Sequence, residues 1–331
     1  LIEWSNFNIN AGETTRFIQP SSSAIAINRV INSNQISSIN GNLIANGNVV
    51  IINPNGVLIG ADGNIDTNSF LATSADIDND AFMNSTGALN FNRAGNLDAV
   101  VENRGTISVA AEGLAALVAP TVRNSGIIQG NLAKVQLAAA DTFAVDFYGD
   151  GLISYAVEGG DQQRTITSEN DGEIFADGGA VLMTAADASD VVDSVINNEG
   201  VIQAASLERR GGKIVLTGGS AKVKVCGKMD VSGQGDSDGG EILVGGDYQG
   251  QGALAKADTV EVTETAELYA DAGDNGDGGD IIVWSEALTT SRGKYFARGG
   301  SQSGNGGLVE TSSKGELFAT GTYVNTLAEN G

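Results

Sequence analysis

The chain contains no histidine, and this absence removes whole classes of function before any motif is considered. Histidine is the commonest general base in enzymes, a member of most catalytic triads and the usual nitrogen ligand of zinc. No site of these kinds can be built from this sequence. Carboxylates remain as the groups for acid-base chemistry or metal binding.

Cysteine and proline are almost as scarce. Cys226 is the single cysteine, so no disulfide can form within the chain, and we interpret it as a small apolar residue beside a predicted strand at 222–225. The three prolines, Pro20, Pro54 and Pro120, leave no proline-rich linker. A chain of 331 residues without a linker is expected to form one elongated unit.

Basic residues and long apolar runs are also few. The 18 lysines and arginines face 41 acidic residues, and the net charge of -23 disfavours nucleic acids and anionic membranes as partners. The longest apolar runs, 114–119 and 135–140, are far shorter than the about 20 residues of a membrane-spanning helix. No leader precedes Leu1 and no cap is visible near Gly331. We therefore expect a removed signal peptide or an internal start, and continuation beyond the last residue.

Glycine, in contrast, is abundant at 46 residues, and it recurs with a period. An Asn-Xaa-Gly-Xaa-Ile unit begins at Asn103, Asn124, Asn170 and Asn198, with spacings of 21, 46 and 28 residues, and we interpret 46 as two steps of 23. Double glycines precede apolar strands at 178, 211, 239, 278 and 306, which indicates corners. Aromatic residues make up only 5%, which favours a narrow core. The pattern predicts an all-β right-handed parallel β-helix of about 15 coils, with asparagines stacked at equivalent corners.

The tetrapeptide Asn53-Pro54-Asn55-Gly56 has residue types that suit a tight turn at every position. The β-branched and aliphatic runs at 48–52 and 57–59 on either side are typical of buried strands. Two strands are thus predicted to meet at a polar corner. Turn chemistry alone is sufficient to explain these four residues, and we expect Asn55 to be the most sensitive to substitution.

Around this turn the sequence resembles a known family. The segments that carry the resemblance are Trp4-Ser5-Asn6-Phe7-Asn8-Ile9, Phe17-Ile18-Gln19-Pro20, Ile27-Asn28-Arg29-Val30, Ser33-Asn34-Gln35-Ile36-Ser37, Gly41-Asn42-Leu43 and Ile52-Asn53-Pro54-Asn55-Gly56-Val57, with weaker Gly-rich blocks at 239–247, 279–285 and 306–312. In this order they resemble the secretion domain of two-partner secretion exoproteins of the filamentous-haemagglutinin family, most of all the high-molecular-weight adhesins. A second motif of many members, Asn-Pro-Asn-Leu, is absent here, so no partner contact is assigned to it.

The resemblance implies a domain organisation, a location and a partner. It implies a cap over residues 1–45 and a β-helix over residues 46–331, in a protein exported through the periplasm of a Gram-negative bacterium and then secreted or held at the cell surface. The partner would be an outer-membrane transporter of the TpsB type, which binds the unfolded chain through its periplasmic domains. Host-cell or bacterial surface receptors would be partners of the full-length protein.

The resemblance also implies which residues the transporter recognises. Recognition is assigned to the turn motif, with four residues in support; the motif is Asn53, Pro54, Asn55 and Gly56, and the supporting residues are Asn28, Arg29, Asn46 and Gly47. A purely structural role of the turn and a role in recognition both stay open.

Three acidic segments are the candidates for calcium binding or acid-base catalysis: 76–80, 236–238 and 274–280. In the first, alternation would place Asp76, Asp78 and Asp80 on one face of a strand, which makes them a weak calcium candidate. A solvated edge on a very acidic protein explains them better. The other two segments match neither the EF-hand loop nor the nonapeptide calcium repeat. We therefore expect no cofactor and no enzyme activity.

Two alternatives stand beside a secretion domain of an adhesin-like exported protein. The first is a structural surface filament in which the solenoid itself is the product, and end-to-end assembly of the purified chain would reveal it. The second is a polysaccharide-active β-helix enzyme, which requires a cleft with converging acids. Cleavage of anionic polysaccharides, with or without calcium, would reveal that activity.

Overall fold

The computed structural model of the chain describes residues 1–85, 87–147, 149, 151–157, 164–186, 192–207 and 211–329. The chain winds repeatedly through three long sheets of parallel strands, and each coil contributes one strand to each sheet, except that coil 1 has none in sheet 2. Sheets 1 and 3 have 11 strands each and sheet 2 has 10. The predicted parallel β-helix is confirmed.

The strands follow one another coil by coil. Coils 1 to 4 contain β1 (Ile2–Trp4), β2 (Thr14–Phe17), β3 (Ile25–Val30), β4 (Ser37–Ile39), β5 (Asn42–Ala45), β6 (Asn48–Ile52), β7 (Gly56–Ile59), β8 (Asn64–Thr67), β9 (Ser69–Thr73), helix α1 (Asn79–Met83), β10 (Leu89–Phe91), β11 (Val100–Asn103) and β12 (Thr106–Val109). Coils 5 to 7 contain β13 (Leu114–Ala119), β14 (Thr121–Asn124), β15 (Ile127–Gln129), β16 (Lys134–Ala139), β17 (Thr142–Asp146), β18 (Gly151–Ala156), β19 (Arg164–Asn170), β20 (Glu173–Phe175), β21 (Ala180–Ala185), β22 (Val192–Asn198) and β23 (Val201–Gln203). Coils 8 to 11 contain β24 (Lys213–Gly218), β25 (Lys222–Val225), β26 (Lys228–Asp230), β27 (Glu241–Val244), β28 (Thr259–Val262), β29 (Glu267–Tyr269), β30 (Asp280–Val283), β31 (Leu288–Ser291), β32 (Lys294–Phe296), β33 (Leu308–Thr311), β34 (Glu316–Phe318) and β35 (Tyr323–Asn325), with a 3-10 turn at Tyr248–Gly250.

Each sheet takes one strand per coil in order along the axis. Sheet 1 is β1-β3-β6-β9-β13-β16-β21-β24-β27-β30-β33, sheet 2 is β4-β7-β11-β14-β19-β22-β25-β28-β31-β34, and sheet 3 is β2-β5-β8-β12-β15-β20-β23-β26-β29-β32-β35. In coil 1 the place of a sheet 2 strand is taken by Ile9, which bridges to Ile39. β10, β17 and β18 form a separate antiparallel sheet.

The described residues therefore form eleven coils, so the expectation of about 15 was too high. The repeat length was misjudged because insertions lengthen several coils. Gly126 and Gly172 are 46 residues apart, yet they lie in adjacent coils, since β14 pairs directly with β19. The reading of this interval as two coils was wrong, because hairpin β17–β18 occupies the additional residues.

The core is a column of stacked side chains inside the three sheets. In sheet 1, for example, Ile51, Ala72, Leu117 and Leu137 are register partners in four successive coils, and all are buried. Burial of a large aliphatic side chain contributes about 1.5–3 kcal/mol. Parallel strands with such a core need β-branched and aliphatic residues at alternate positions, which is the pattern of the sequence.

Asparagines also stack inside the solenoid, as the repeat predicted. Four asparagines at the ends of their sheet 2 strands form a ladder: Nδ2 of Asn103, Asn124 and Asn170 donates in turn to Oδ1 of Asn124, Asn170 and Asn198, at 2.8 Å in all three steps. All four side chains are fully buried. The ladder ends where Val225 takes the next position, and Nδ2 of Asn198 has no hydrogen-bond partner.

The double glycines lie at coil corners, which confirms their interpretation. A Cβ on Gly279 would lie 2.0 Å from the carbonyl oxygen of Gly240, and one on Gly307 would lie 2.0 Å from that of Gly279. Only glycine permits the backbones of successive coils to approach so closely.

Insertions leave the solenoid at one corner, between sheets 1 and 2. They are the segment 74–99 in coil 4, the segment that contains β17 and β18 in coil 6, and the loop 246–256 in coil 9. Every residue of β6, β9 and β13 is buried, so this part of sheet 1 is covered on its outer face as well as its inner one. The turn at 53–56 occupies the same corner in coil 3.

The first 45 residues share the sheets of the solenoid. β3 pairs with β6 and β5 pairs with β8, so the parallel register continues across this point. A division between a cap at 1–45 and a β-helix at 46–331 stays a prediction. Among the described residues, neither helix has the length and apolar character needed to cross a membrane.

Candidate functional site

The motif from Asn53 to Gly56 forms the predicted tight turn between β6 and β7. The Gly56 amide donates to the carbonyl oxygen of Asn53 at 2.9 Å, and the Asn55 amide donates to Oδ1 of Asn53 at 3.0 Å. The backbone turn is therefore reinforced by an Asx turn. Asn53 is 1% exposed, so the first residue of the motif belongs to the interior.

Side chains of the turn are bonded to the coil below. Nδ2 of Asn53 donates to the carbonyl oxygen of Gln35 at 3.0 Å and to Oγ of Ser37 at 3.1 Å. Nδ2 of Asn55 donates to the carbonyl oxygen of Ser33 at 2.8 Å. The two asparagines thus bond the turn to polar groups of coil 2.

The coil above covers the turn from the other side. Nδ2 of Asn96 donates to Oδ1 of Asn55 at 2.8 Å, and the Asn96 amide donates to the carbonyl oxygen of Pro54 at 2.9 Å. Gly56 has φ of 118°, and a Cβ there would lie 2.3 Å from the carbonyl oxygen of Val100. Asn55 therefore links three coils, since both Nδ2 and Oδ1 of its side chain are hydrogen-bonded to neighbouring coils.

Arg29, one of the supporting residues, lies next to the turn, because it pairs in register with Ile52. Its guanidinium is buried and donates to Oδ1 of Asp76 at 2.7 Å, to Oδ1 of Asn79 at 2.5 Å and to the carbonyl oxygen of Ile77 at 2.5 Å. Arg29 therefore fastens insertion 74–99 to coil 2. The same insertion supplies Asn96 to the turn.

The other supporting residues lie elsewhere. Asn28 is buried and accepts at Oδ1 from Nε1 of Trp4 at 3.1 Å. Asn46, at the opposite end of β6 from the turn, accepts from the Gln19 amide at 2.7 Å and donates to the Gln19 carbonyl oxygen at 2.8 Å. A Cβ on Gly47 would lie 2.7 Å from the Gln19 side chain. These residues join coils 1, 2 and 3, and the structure does not bring Asn46 and Gly47 to the turn.

The expectation for Asp76, Asp78 and Asp80 was wrong, since they do not share one face of a strand. Asp76 bridges to Arg93 and pairs with Arg29, whereas Asp78 is the N-cap of α1 and Asp80 lies in its first turn. Hydrogen bonds from the backbone amides of Ala81 and Asp80 lower the pKa of Asp78. The described residues hold no group of three or more acidic or cysteine side chains arranged for a metal ion. The local sequence favours a helix start here, because an Asp accepts well from the amides of a first helical turn.

Sequence reasoning missed insertion 74–99 as part of the site. Its contact residues Asp76 and Asn96 lie 47 and 41 positions from their partners Arg29 and Asn55. No local pattern reports such a distance. The one available signal was the length of the interval between the strands at 69–73 and 100–103.

Comparison with known proteins adds to this geometry. The sequence model of the TPS (two-partner secretion) secretion domain family matches residues 1–239. The chain is 30% identical over 237 residues to a heme/hemopexin-binding protein of Haemophilus influenzae strain Rd, a match that covers 70% of this chain and 25% of that protein. A second heme/hemopexin-binding protein of Haemophilus influenzae is 28% identical over 245 residues, which covers 65% of this chain and again 25% of the relative.

Among solved structures, the fold is similar to the crystal structure of the HMW1 secretion domain from Haemophilus influenzae. The TM-score is 0.78 at 28% sequence identity, and the match covers 98% of this chain and 91% of that one. The chain spans about a quarter of the length of the curated relatives it matches.

Proposed function

This chain belongs to the TPS secretion domain family, and we propose that it is the segment by which a TpsB-type outer-membrane transporter recognises and exports a larger adhesin-like protein. Domains of this family direct secretion from Gram-negative bacteria through the periplasm. The observation that carries the proposal is the family match over residues 1–239, which includes the turn and every residue that contacts it. The same membership supports a role without catalysis.

The geometry of the turn favours recognition of the unfolded chain. In the folded protein Asn53 is buried, and the side-chain amide of Asn55 is bonded at both ends to neighbouring coils. A transporter that binds these groups must therefore contact them before they form their hydrogen bonds to coils 2 and 4. After passage, the closed turn contributes to folding, since a coil that is already formed offers an edge on which the next coil can add.

Two matched substitutions separate recognition from folding. Asn55→Ala and Asn96→Ala remove the same 2.8 Å hydrogen bond, but only Asn55 lies in the motif. We expect each to lower the free energy of unfolding by about 0.5–1.5 kcal/mol per hydrogen bond removed, and Asn55→Ala to cost more because it also removes the bond to the Ser33 carbonyl oxygen. Only Asn55→Ala should weaken binding of the unfolded chain to the purified periplasmic domains of the transporter.

Binding is measured with urea-unfolded chain diluted into transporter domains, beside circular dichroism of the refolded variants. Equal loss of binding in both variants would assign the motif to folding alone. Binding of the folded chain as tight as that of the unfolded chain would contradict recognition before folding.

A further inference from the structure

The loop 246–256 in coil 9, here called the strap, forms a second small apolar core outside the solenoid. Its ends meet, since the Ala257 amide donates to the carbonyl oxygen of Gly245 at 2.8 Å. Leu254 of the strap packs against an apolar cluster on the outer face of sheet 1, which consists of Val215, Leu243, Ile282 and Trp284. The cluster residues come from coils 8, 9 and 10.

Trp284 is the centre of this cluster and is 5% exposed. Gly246 and Gly250 of the strap lie against its ring: a Cβ on Gly250 would come within 2.2 Å of Cζ2, and one on Gly246 within 3.0 Å of Cε3. Gly250 also has φ of 65°, which suits glycine. Nζ of Lys256 lies 5.5 Å from the ring centroid. The backbone of the strap therefore packs closely around the ring of Trp284.

Hydrogen bonds also connect the strap to coils 8 and 11. On coil 8, Oγ1 of Thr217 donates to the Ala255 carbonyl oxygen and the Ser220 amide donates to that of Lys256 at 3.0 Å. On coil 11, Glu310 accepts from the Gln249 amide at 2.9 Å. One loop therefore contacts four successive coils.

We propose that the strap docks late in folding, only after Trp284 and Glu310 are in place. Once docked, it joins coils 8 to 11 into one cooperative unfolding unit. Two of its partners, Trp284 and Glu310, lie downstream in the chain, so in a solenoid that folds from its amino end the outer face at Val215 and Leu243 stays open until coil 10 forms. Docking after coil 10 follows from the strap's contacts with Trp284 and does not require delivery of the chain from one end. The four-coil contacts are likewise independent of export.

The test uses the full purified chain without a transporter, so its outcome is independent of export. Trp4 and Trp284 are the two tryptophans, and Trp4→Phe leaves Trp284 as the single reporter. In this background Gly250→Ala places a methyl group against the indole, while Gly12→Ala is the control, since Gly12 also has positive φ, 80°, and a Cβ there would have no heavy atom within 4 Å.

We expect Gly250→Ala to raise quenching of Trp284 by acrylamide. Amide exchange should accelerate about tenfold or more in the strap and in β24, β27, β30 and β33, since overpacking commonly costs at least the 1.4 kcal/mol that corresponds to tenfold. β6, β9 and β13 should be unchanged, and Gly12→Ala should alter none of these signals. Acceleration confined to the strap would overturn the fastening role.

Pulse-labelled exchange during refolding of the unsubstituted chain tests the order of closing. The amides of Gln249 and Leu254 should gain protection after those of β30. Protection of the strap before β30 would overturn late closing.

Discussion

At the residue scale, the sequence predicts the turn at 53–56 but not the residues that contact it. Asn, Pro, Asn and Gly define a tight turn by their own backbone preferences, and the structure has that turn at 53–56. The partners of Asn55, namely the Ser33 carbonyl oxygen and Asn96, depend on which coils are adjacent. The same limit applies to Asp76, whose carboxylate pairs with Arg29.

A buried tyrosine predicts how stability changes at high pH. Tyr295 is fully buried, its hydroxyl lies 2.7 Å from Oγ of Ser291, and burial raises its pKa to about 12 from the usual 10.0. Because the folded state holds the phenol proton more tightly, this contribution is complete below pH 10 and is lost as the pH rises toward 12. The loss attributable to Tyr295 should be about 2 to 3 kcal/mol over that range.

The measurement is the free energy of unfolding by urea at several pH values from 8 to 11.5, for the parent and Tyr295→Phe. The parent should lose stability more steeply than the variant above pH 10. Parallel curves would show that the phenol of Tyr295 ionises without a penalty.

At the element scale, the asparagine ladder makes a prediction that depends on position. Replacement of a middle member, Asn170→Val, removes two ladder hydrogen bonds, the one that Nδ2 of Asn124 donates to Asn170 and the one that Oδ1 of Asn198 accepts from Asn170. Replacement of the last member, Asn198→Val, removes an amide that already lacks a partner at Nδ2 and moves the ladder end to Asn170. We expect Asn170→Val to cost about 1–3 kcal/mol more than Asn198→Val.

Urea unfolding of both variants, monitored by circular dichroism, gives the difference. Equal costs would mean that the hydrogen bonds of the ladder do not cooperate and that each asparagine acts only through its own coil.

The strands of the solenoid could be predicted from the sequence, whereas the insertions could not. Glycine corners and apolar alternation predict parallel coils, because both signals repeat along the chain, and β27, β30 and β33 each follow a double glycine. The insertions made the predicted number of coils too high, because the sequence of hairpin β17–β18 resembles two further solenoid strands. Its antiparallel pairing with β10 is a long-range choice that alternation does not encode.

At the scale of the whole molecule, the net charge of -23 should make stability depend on salt. Repulsion among surface carboxylates opposes the compact state, and the screening length falls from about 30 Å at 0.01 M to about 10 Å at 0.1 M. We expect the thermal unfolding midpoint to rise over this range of NaCl. A falling midpoint would mean that ion pairs such as Lys294–Glu267 outweigh the repulsion.

Calcium chloride at matched ionic strength is the control for that experiment. The carboxylates of Asp76 and Asp78 are paired with Arg29 and Arg93. Calcium should therefore stabilise the chain no more than sodium does. A distinctly larger rise in the midpoint with calcium would reveal a specific site.

The central claim is that this chain is a secretion domain, and secretion itself tests it most directly. The measurement is the amount of the chain, joined to a signal peptide, in the medium of Gram-negative cells with and without its candidate TpsB-type transporter. We predict export only when the transporter is present, with the chain retained in the periplasm otherwise. Equal export in both strains would contradict the claim and favour a structural filament.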